Sequence, residues 1–122
     1  MTVIDMKSLC NWDEMEWEIV RPGVKRKVFQ AAGGTLVLNH LEPGHSPWPH
    51  SHAHEQIVYI LQGEAEFTVD AKAFNLRSGS LLTIPPHAEH FARVTGRETL
   101  VNLDVFFPRR EDYRQSRILG ED

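Results

Sequence analysis

Between Trp17 and Phe107 the chain runs as short apolar or alternating stretches cut by turn residues, and none carries a helical period over a useful length. This feature narrows the fold most, because side chains two apart share one face of a strand, whereas a helix needs apolar residues three and four apart. Glu64 to Val69 is the cleanest case: Ala65, Phe67 and Val69 alternate with Glu64, Glu66 and Thr68, the pattern of a half-buried strand. Trp17 to Val20, Lys25 to Gln30, Thr35 to Leu41, Ile57 to Leu61, Lys72 to Leu76, Ser80 to Ile84, His90 to Val94 and Thr99 to Phe107 read the same way. Arg21-Pro22-Gly23, Gly33-Gly34, Pro43-Gly44, Gly63 and Arg77-Ser78-Gly79 punctuate them, and Asp70-Ala71-Lys72 is expected to form a hairpin without the usual glycine. About nine or ten strands, with turns roughly every 8 to 12 residues, predict an all-β sandwich or barrel.

At 122 residues the chain can hold one core and is too short for two. Residues 1–16 have no clean period and read as an N-terminal arm, with Trp12 and Trp17 docking it onto the body or onto a second subunit. The barrel is expected over 17–107, followed by a charged tail over 108–122 that forms at most a loose helical turn or two.

Charge and composition exclude several functions. Thirteen basic against seventeen acidic residues give a net charge of −4, with no basic stripe of the kind a nucleic-acid footprint needs. No apolar run approaches the length of a membrane span, and Asp5 and Lys7 interrupt the place where a signal peptide would need an unbroken apolar core. The expected setting is therefore the cytoplasm, with neither nucleic acid nor membrane as partner. Cys10 is the only cysteine, which removes intrachain disulfides and multi-thiolate metal sites and leaves an inert thiol as its simplest reading.

The stretch from Gly44 to Gly63, GHSPWPHSHAHEQIVYILQG, breaks the pattern by its chemistry. Four of the seven histidines, His45, His50, His52 and His54, fall in its first eleven residues. If the chain is extended there, His50, His52 and His54 share a face and Gln56 stays in phase. Neutral imidazole is the commonest protein ligand for a transition metal. A second cluster lies 34 residues beyond Gln56, where the apolar run Leu81 to Ile84 enters Pro85-Pro86 and then presents His90. The two clusters offer His50, His52, Gln56 and His90 to one divalent ion of nickel, zinc, manganese, iron or copper. His45, His54 and His87 are expected at the rim or an interface.

The spacing Gly44-x5-His50-x-His52-x3-Gln56-x6-Gly63, followed by Gly79-x5-Pro85-x-His87-x2-His90, resembles the paired motifs of the cupins. The resemblance covers residues 17–107 and implies a double-stranded β-helix, a jelly-roll barrel whose mouth holds one metal ion on three histidines and a carboxylate. It also implies a homodimer. Two positions depart from the pattern: Gln56 stands in place of the carboxylate, and His87 stands where glycine is usual, a position that histidine tolerates better than most residues. With an amide in place of a carboxylate, the site keeps about +2 instead of about +1, which favours a substrate that brings its own negative charge.

Within the cupins, the run from His50 to Gln56, Arg21-Pro22-Gly23-Val24, Ile84-Pro85-Pro86 and Asp104-Val105-Phe106 are similar to the pectin-degradation proteins called KdgF. That group acts on 4,5-unsaturated monouronates and promotes their conversion to the linear 5-keto-4-deoxyuronate. The resemblance implies metal ligands at His50, His52, Gln56 and His90, with Asp104 and Phe106 lining the substrate pocket. Alternation agrees on the last two, since Leu100, Asn102, Asp104 and Phe106 share one face of their strand, and a carboxylate aimed into the barrel mouth can move protons.

Asp104 is thus the candidate acid or base, with the ion expected to chelate the carboxylate and a neighbouring oxygen of a small anionic substrate. Phe106, Tyr59 and Arg93 are the candidate substrate contacts; Phe67 and Trp48 are expected as core or pocket wall. The Arg109-Arg110 pair offers a bidentate grip on a carboxylate, but Arg110 is expected at the solvated surface. Two rival readings are a cupin oxygenase using Fe(II) and dioxygen, and a non-catalytic sugar-acid sensor whose metal only shapes the pocket.

Overall fold

The computed structural model describes residues 9–121, in which nine strands follow one 3-10 turn. The strands are β1 (Glu18–Arg21), β2 (Val24–Gln30), β3 (Thr35–Leu41), β4 (Glu55–Gln62), β5 (Glu64–Val69), β6 (Lys72–Arg77), β7 (Leu81–Ile84), β8 (His90–Val94) and β9 (Leu100–Phe107). They form a six-stranded antiparallel sheet in the order β1-β2-β3-β9-β4-β7 and a three-stranded sheet in the order β6-β5-β8. The last strand slots between β3 and β4, so strands far apart in the chain close the jelly roll, an all-β single domain.

Alternation decides what fills the roll. Val58 and Ile60 on β4, Leu41 on β3, Ala65 and Phe67 on β5, Ile84 on β7, Val94 on β8 and Leu100 on β9 face inward and make one apolar cluster. Val28, Val37 and Phe106 make a second, against which Tyr113 packs. Between the two, the inner face of the large sheet turns polar: Asn39 pairs with Asn102 across β3 and β9, and Gln56 pairs with Phe106 across β4 and β9. This polar belt floors a cavity of about 560 Å³.

Turn chemistry fixes the connections. Asp70 (φ 47) and Ala71 (φ 67) close the β5–β6 hairpin with two left-handed residues, the conformation a two-residue hairpin loop demands, even without glycine. His87 also takes a positive φ of 68, in the position where the motif usually has glycine. At Gly63 (φ 91) a Cβ would sit 3.1 Å from the Thr99 carbonyl oxygen, so the step from one sheet to the other requires glycine.

None of residues 108–121 is helical. Instead the segment runs beside β2, where β1 has already ended. Val28 N–H donates to Ser116 Oγ (2.6 Å), Ser116 N–H donates to the Val28 carbonyl (2.9 Å), and Gln30 N–H donates to Gln115 Oε1 (2.7 Å). Exposed backbone groups on β2 need partners, and an irregular strap meets that need better than a helix, whose backbone groups are already spent on each other. The arm is tied to the same strap: Asn11 caps the turn Trp12–Glu14, and Met15 bridges to Ile118. Residues 1–8, part of the expected arm, lie outside the described residues. No helix among the described residues is long and apolar enough to cross a membrane.

Candidate metal centre

The segment carrying His50, His52 and His54 is not a strand, contrary to the expectation; β4 begins only at Glu55. Pro47 and Pro49 cannot donate to a ladder, so pairing is confined to one bridge. His50 N–H donates to the His90 carbonyl (3.1 Å) and His90 N–H returns a bond to that of His50 (2.9 Å). The bridge sets the first motif directly against the second. Ring centroids of His50 and His90 lie 4.2 Å apart, and those of His52 and His90 lie 4.9 Å apart.

Each of the three rings is oriented by a backbone carbonyl. Nδ1 of His50 faces the Trp48 oxygen at 2.7 Å, Nδ1 of His52 faces that of His54 at 2.9 Å, and Nδ1 of His90 faces that of Ala88 at 2.9 Å. A carbonyl only accepts, so Nδ1 carries the proton in all three and Nε2 is left with a lone pair. One ligand atom from each ring lies within 4.8 Å of the others. Burial holds His90 well below the usual imidazole range, at about 4, so its ring is neutral near pH 7. Its Nε2 is buried with no hydrogen-bond partner. Leaving such an acceptor unsatisfied costs about 1–3 kcal/mol, and a cation shared with the other two rings removes that cost.

Gln56 joins the group. Its Oε1 lies 3.0 Å from Nε2 of His52, while its amide also hydrogen-bonds the Asp104 carboxylate. The carboxylate accepts only from Nε2–H, which turns Oε1 toward the histidines. Two lone pairs then face each other across 3.0 Å, an arrangement a positive ion reconciles. The donor set of three imidazole nitrogens and one amide oxygen suits a divalent transition-metal ion.

Asp104 stands beside this cluster, inward on β9 as its parity requires. Asn39 Nδ2 donates to Oδ2 and Asn102 Nδ2 donates to Oδ1, both at 2.8 Å. Despite these amides and the charge of Arg110, burial pushes the Asp104 carboxyl up to about 6. Its residual exposure faces the cavity, whose lining it joins with Phe106, Tyr113 and Arg110.

Arg110 departs from the surface position expected of it. It is 8% exposed, its guanidinium grips both oxygens of Asp112 (2.9 and 2.7 Å), and it stacks 4.8 Å from the Phe106 ring and 4.1 Å from that of Tyr113. A bond from its N–H to Thr35 Oγ1 (2.8 Å) anchors the tail there.

Two other candidates lie outside the cavity. Tyr59 faces away from it on β4, 37% exposed, because Gln56, Val58 and Ile60 take the inward phase. Arg93 is likewise outward on β8 and pairs with Glu66 of β5 at 3.5 Å. Conversely, Asn39, Asn102 and Tyr113 line the cavity with the carboxylate without having been assigned roles from sequence, and Arg110, weighed as a carboxylate grip but expected at the surface, lines it too. Polar residues at inward positions of β3 and β9 were the available signal for the two asparagines; nothing comparable marks the tail residues. His45, expected at the rim, is instead buried against the carbonyls of Glu42 (3.1 Å) and Ala92 (3.2 Å), lining the same cavity without joining the triad, and His87 is exposed in its turn.

Known proteins resemble this chain in sequence and in fold. It is 30% identical over 103 residues to the pectin degradation protein KdgF of Dickeya dadantii, covering 83% of this chain and 93% of that one. The structure of KdgF from Halomonas sp. superposes with a TM-score of 0.76 at 32% identity, covering 84% of this chain and 94% of that one. An RmlC-like cupin from Shewanella frigidimarina gives 0.79 at 27% identity, over 86% and 94% of the two chains. The family model described as Cupin domain matches residues 37–106, the span holding both histidine clusters and the central strand β9. The jelly roll, the bridged motifs and these matches agree, and the chain belongs to the cupin family.

Proposed function

We propose that this protein is a metal-dependent cupin that isomerises a small anionic sugar-derived substrate, such as a 4,5-unsaturated monouronate, to its linear keto form. The observation that carries the reading is the adjacency of three histidines, each with its Nδ1 held by a carbonyl, to one half-buried carboxylate, Asp104, through the amide of Gln56. The similarity to KdgF supports the substrate class. His50, His52, His90 and Gln56 would hold the ion. Once bound, a divalent cation supplies Lewis-acid polarisation of an anionic substrate oxygen.

Asp104 then moves the proton. A carboxyl with a pKa of about 6 exchanges its proton readily near neutrality. Its carboxylate takes the proton of the anomeric hydroxyl as the C1–O5 bond breaks, leaving an aldehyde and an enolate. The acid then delivers that same proton to C4 as the enolate becomes the ketone. The step is an isomerisation and balances without a co-reactant. Asn39 and Asn102 hold the carboxylate in place, while Phe106 and Tyr113 wall the cavity and limit water. We further infer that the active form is a homodimer.

The test combines elemental analysis of purified protein with a uronate assay that follows loss of the ring alkene absorbance. Asp104→Asn is expected to lose turnover by about a hundredfold or more while retaining its metal. Equal activity in that variant removes Asp104 from the mechanism, and inactivity of the metal-loaded wild type on every unsaturated uronate removes the substrate class.

A further inference from the structure

A second cation stands at the mouth of the same cavity. Strand β1 shifts register between Ile19, opposite Lys25, and Arg21, opposite Val24, so Val20 is an extra residue in a bulge. Bulges re-aim the side chains beside them, and here Arg21 joins the cavity lining. The turn that follows is pinned: Gly23 has φ 79, and a Cβ there would come within 3.2 Å of the His45 Cβ. Across the mouth, Trp48 sits between Pro47 and Pro49 and is 63% exposed. The Arg21 guanidinium carbon lies 5.9 Å from its ring centroid. Both groups are thus held by constrained backbone.

Three arginines line this cavity, and their pairing differs. Arg26 is bound through two nitrogens to Glu18 (3.0 and 3.1 Å), and Arg110 is bound in the same way to Asp112. Among the described residues no ion pair involves Arg21. Its Nε is buried without a hydrogen-bond partner. Burial with no counter-charge also holds its pKa below the usual guanidinium range. A forked cation with unused donors, open to a cavity, is built to receive a planar oxyanion.

We infer that Arg21, braced on Trp48, takes the carboxylate of the ligand. The ligand is thereby oriented, carboxylate at the mouth and reacting oxygens toward the histidines and Asp104. This places the carboxylate at the opposite end from the chelated position expected from the sequence. The inference rests on the anionic-sugar reading above and makes Arg21 the residue that tells a uronate from an uncharged sugar of the same shape.

The test uses the full, metal-loaded chain and compares D-galacturonate with its methyl ester by calorimetry, and the unsaturated uronate with its methyl ester by turnover. Wild type is expected to prefer each acid by about tenfold or more. In Arg21→Gln that preference collapses through a weaker Kd and a higher KM, with kcat, metal content and unfolding midpoint kept. Arg21→Lys, which keeps the charge and loses the fork, falls between. Undiminished preference in Arg21→Gln overturns the assignment even if turnover is found, and so does failure of galacturonate to bind the wild type. A preference that depends on Arg21 in a protein without turnover upholds the assignment and overturns the proposed reaction instead.

Discussion

Gln56 makes two contacts with opposite requirements, its oxygen toward His52 and its amide nitrogen toward Asp104. Only an amide meets both. Gln56→Glu removes the donor and sets two carboxylates against each other in a buried place. The metal-free variant is expected to lose about 1–3 kcal/mol of stability. A divalent ion should restore more stability to it than to wild type, because a carboxylate attracts the ion more strongly. Chemical denaturation with and without metal reads both effects, and a variant as stable as wild type without metal would show that the Gln56–Asp104 bond is unimportant. At this scale the sequence was legible where parity was applied to a regular strand, and not in the histidine segment, which is no strand. The inward phase of β9 announced Asp104 and Phe106 together with Asn102. The same parity separates Tyr59 from Gln56 and Arg93 from His90, since three steps along a strand always change face. Arg110 was not legible, because its burial depends on a tail whose path no period announces.

Strands showed their limits more clearly than loops did. The boundaries read from turn residues agree closely with β2, β3, β5, β8 and β9, since glycine, proline and left-handed turn residues stop a ladder for local steric reasons. The histidine segment and the tail follow non-local partners instead: His50 is held by His90, and Ser116 by Val28. Arg110 and Asp112 clasp the tail where it crosses the cavity, and the guanidinium bonds pull the Asp112 carboxyl down to about 2 from its usual 3.8. A carboxylate with a lowered folded pKa contributes stability that is complete above the unfolded value and lost as pH falls through the folded one. Asp112→Asn is therefore expected to lower the urea midpoint at pH 5. The difference from wild type should shrink below about pH 4 and vanish near pH 2. Other titrating groups are common to both proteins, so the difference isolates Asp112. A gap that stays constant across the range would mean that the clasp is not ionic.

Closure of the roll explains why the reading worked for the molecule as a whole: with so many alternating strands on a short chain, the apolar faces can be buried only by wrapping one sheet over another. The outer face of the large sheet breaks that logic. An antiparallel sheet usually turns polar residues to water, yet Leu61 and Tyr59 on β4 are 42% and 37% exposed, and Leu81 on β7 is 69% exposed. Tyr59 and Leu81 are direct register partners, so these side chains form one patch beside the edge of β7, which has no second strand partner among the described residues. Such an apolar patch next to an open edge favours association. In the proposed homodimer, a second copy covers it. Leu81→Glu places a charge at the patch centre, away from the cavity. The variant is expected to elute at half the mass of wild type in sedimentation or light-scattering measurements, with its unfolding cooperative and its metal content unchanged. Lysine at position 81 should act alike, because burying either charge against an apolar partner is costly. Dimers of undiminished affinity in both variants would move the interface off this face, and a wild type that is monomeric at high concentration would end the dimer proposal.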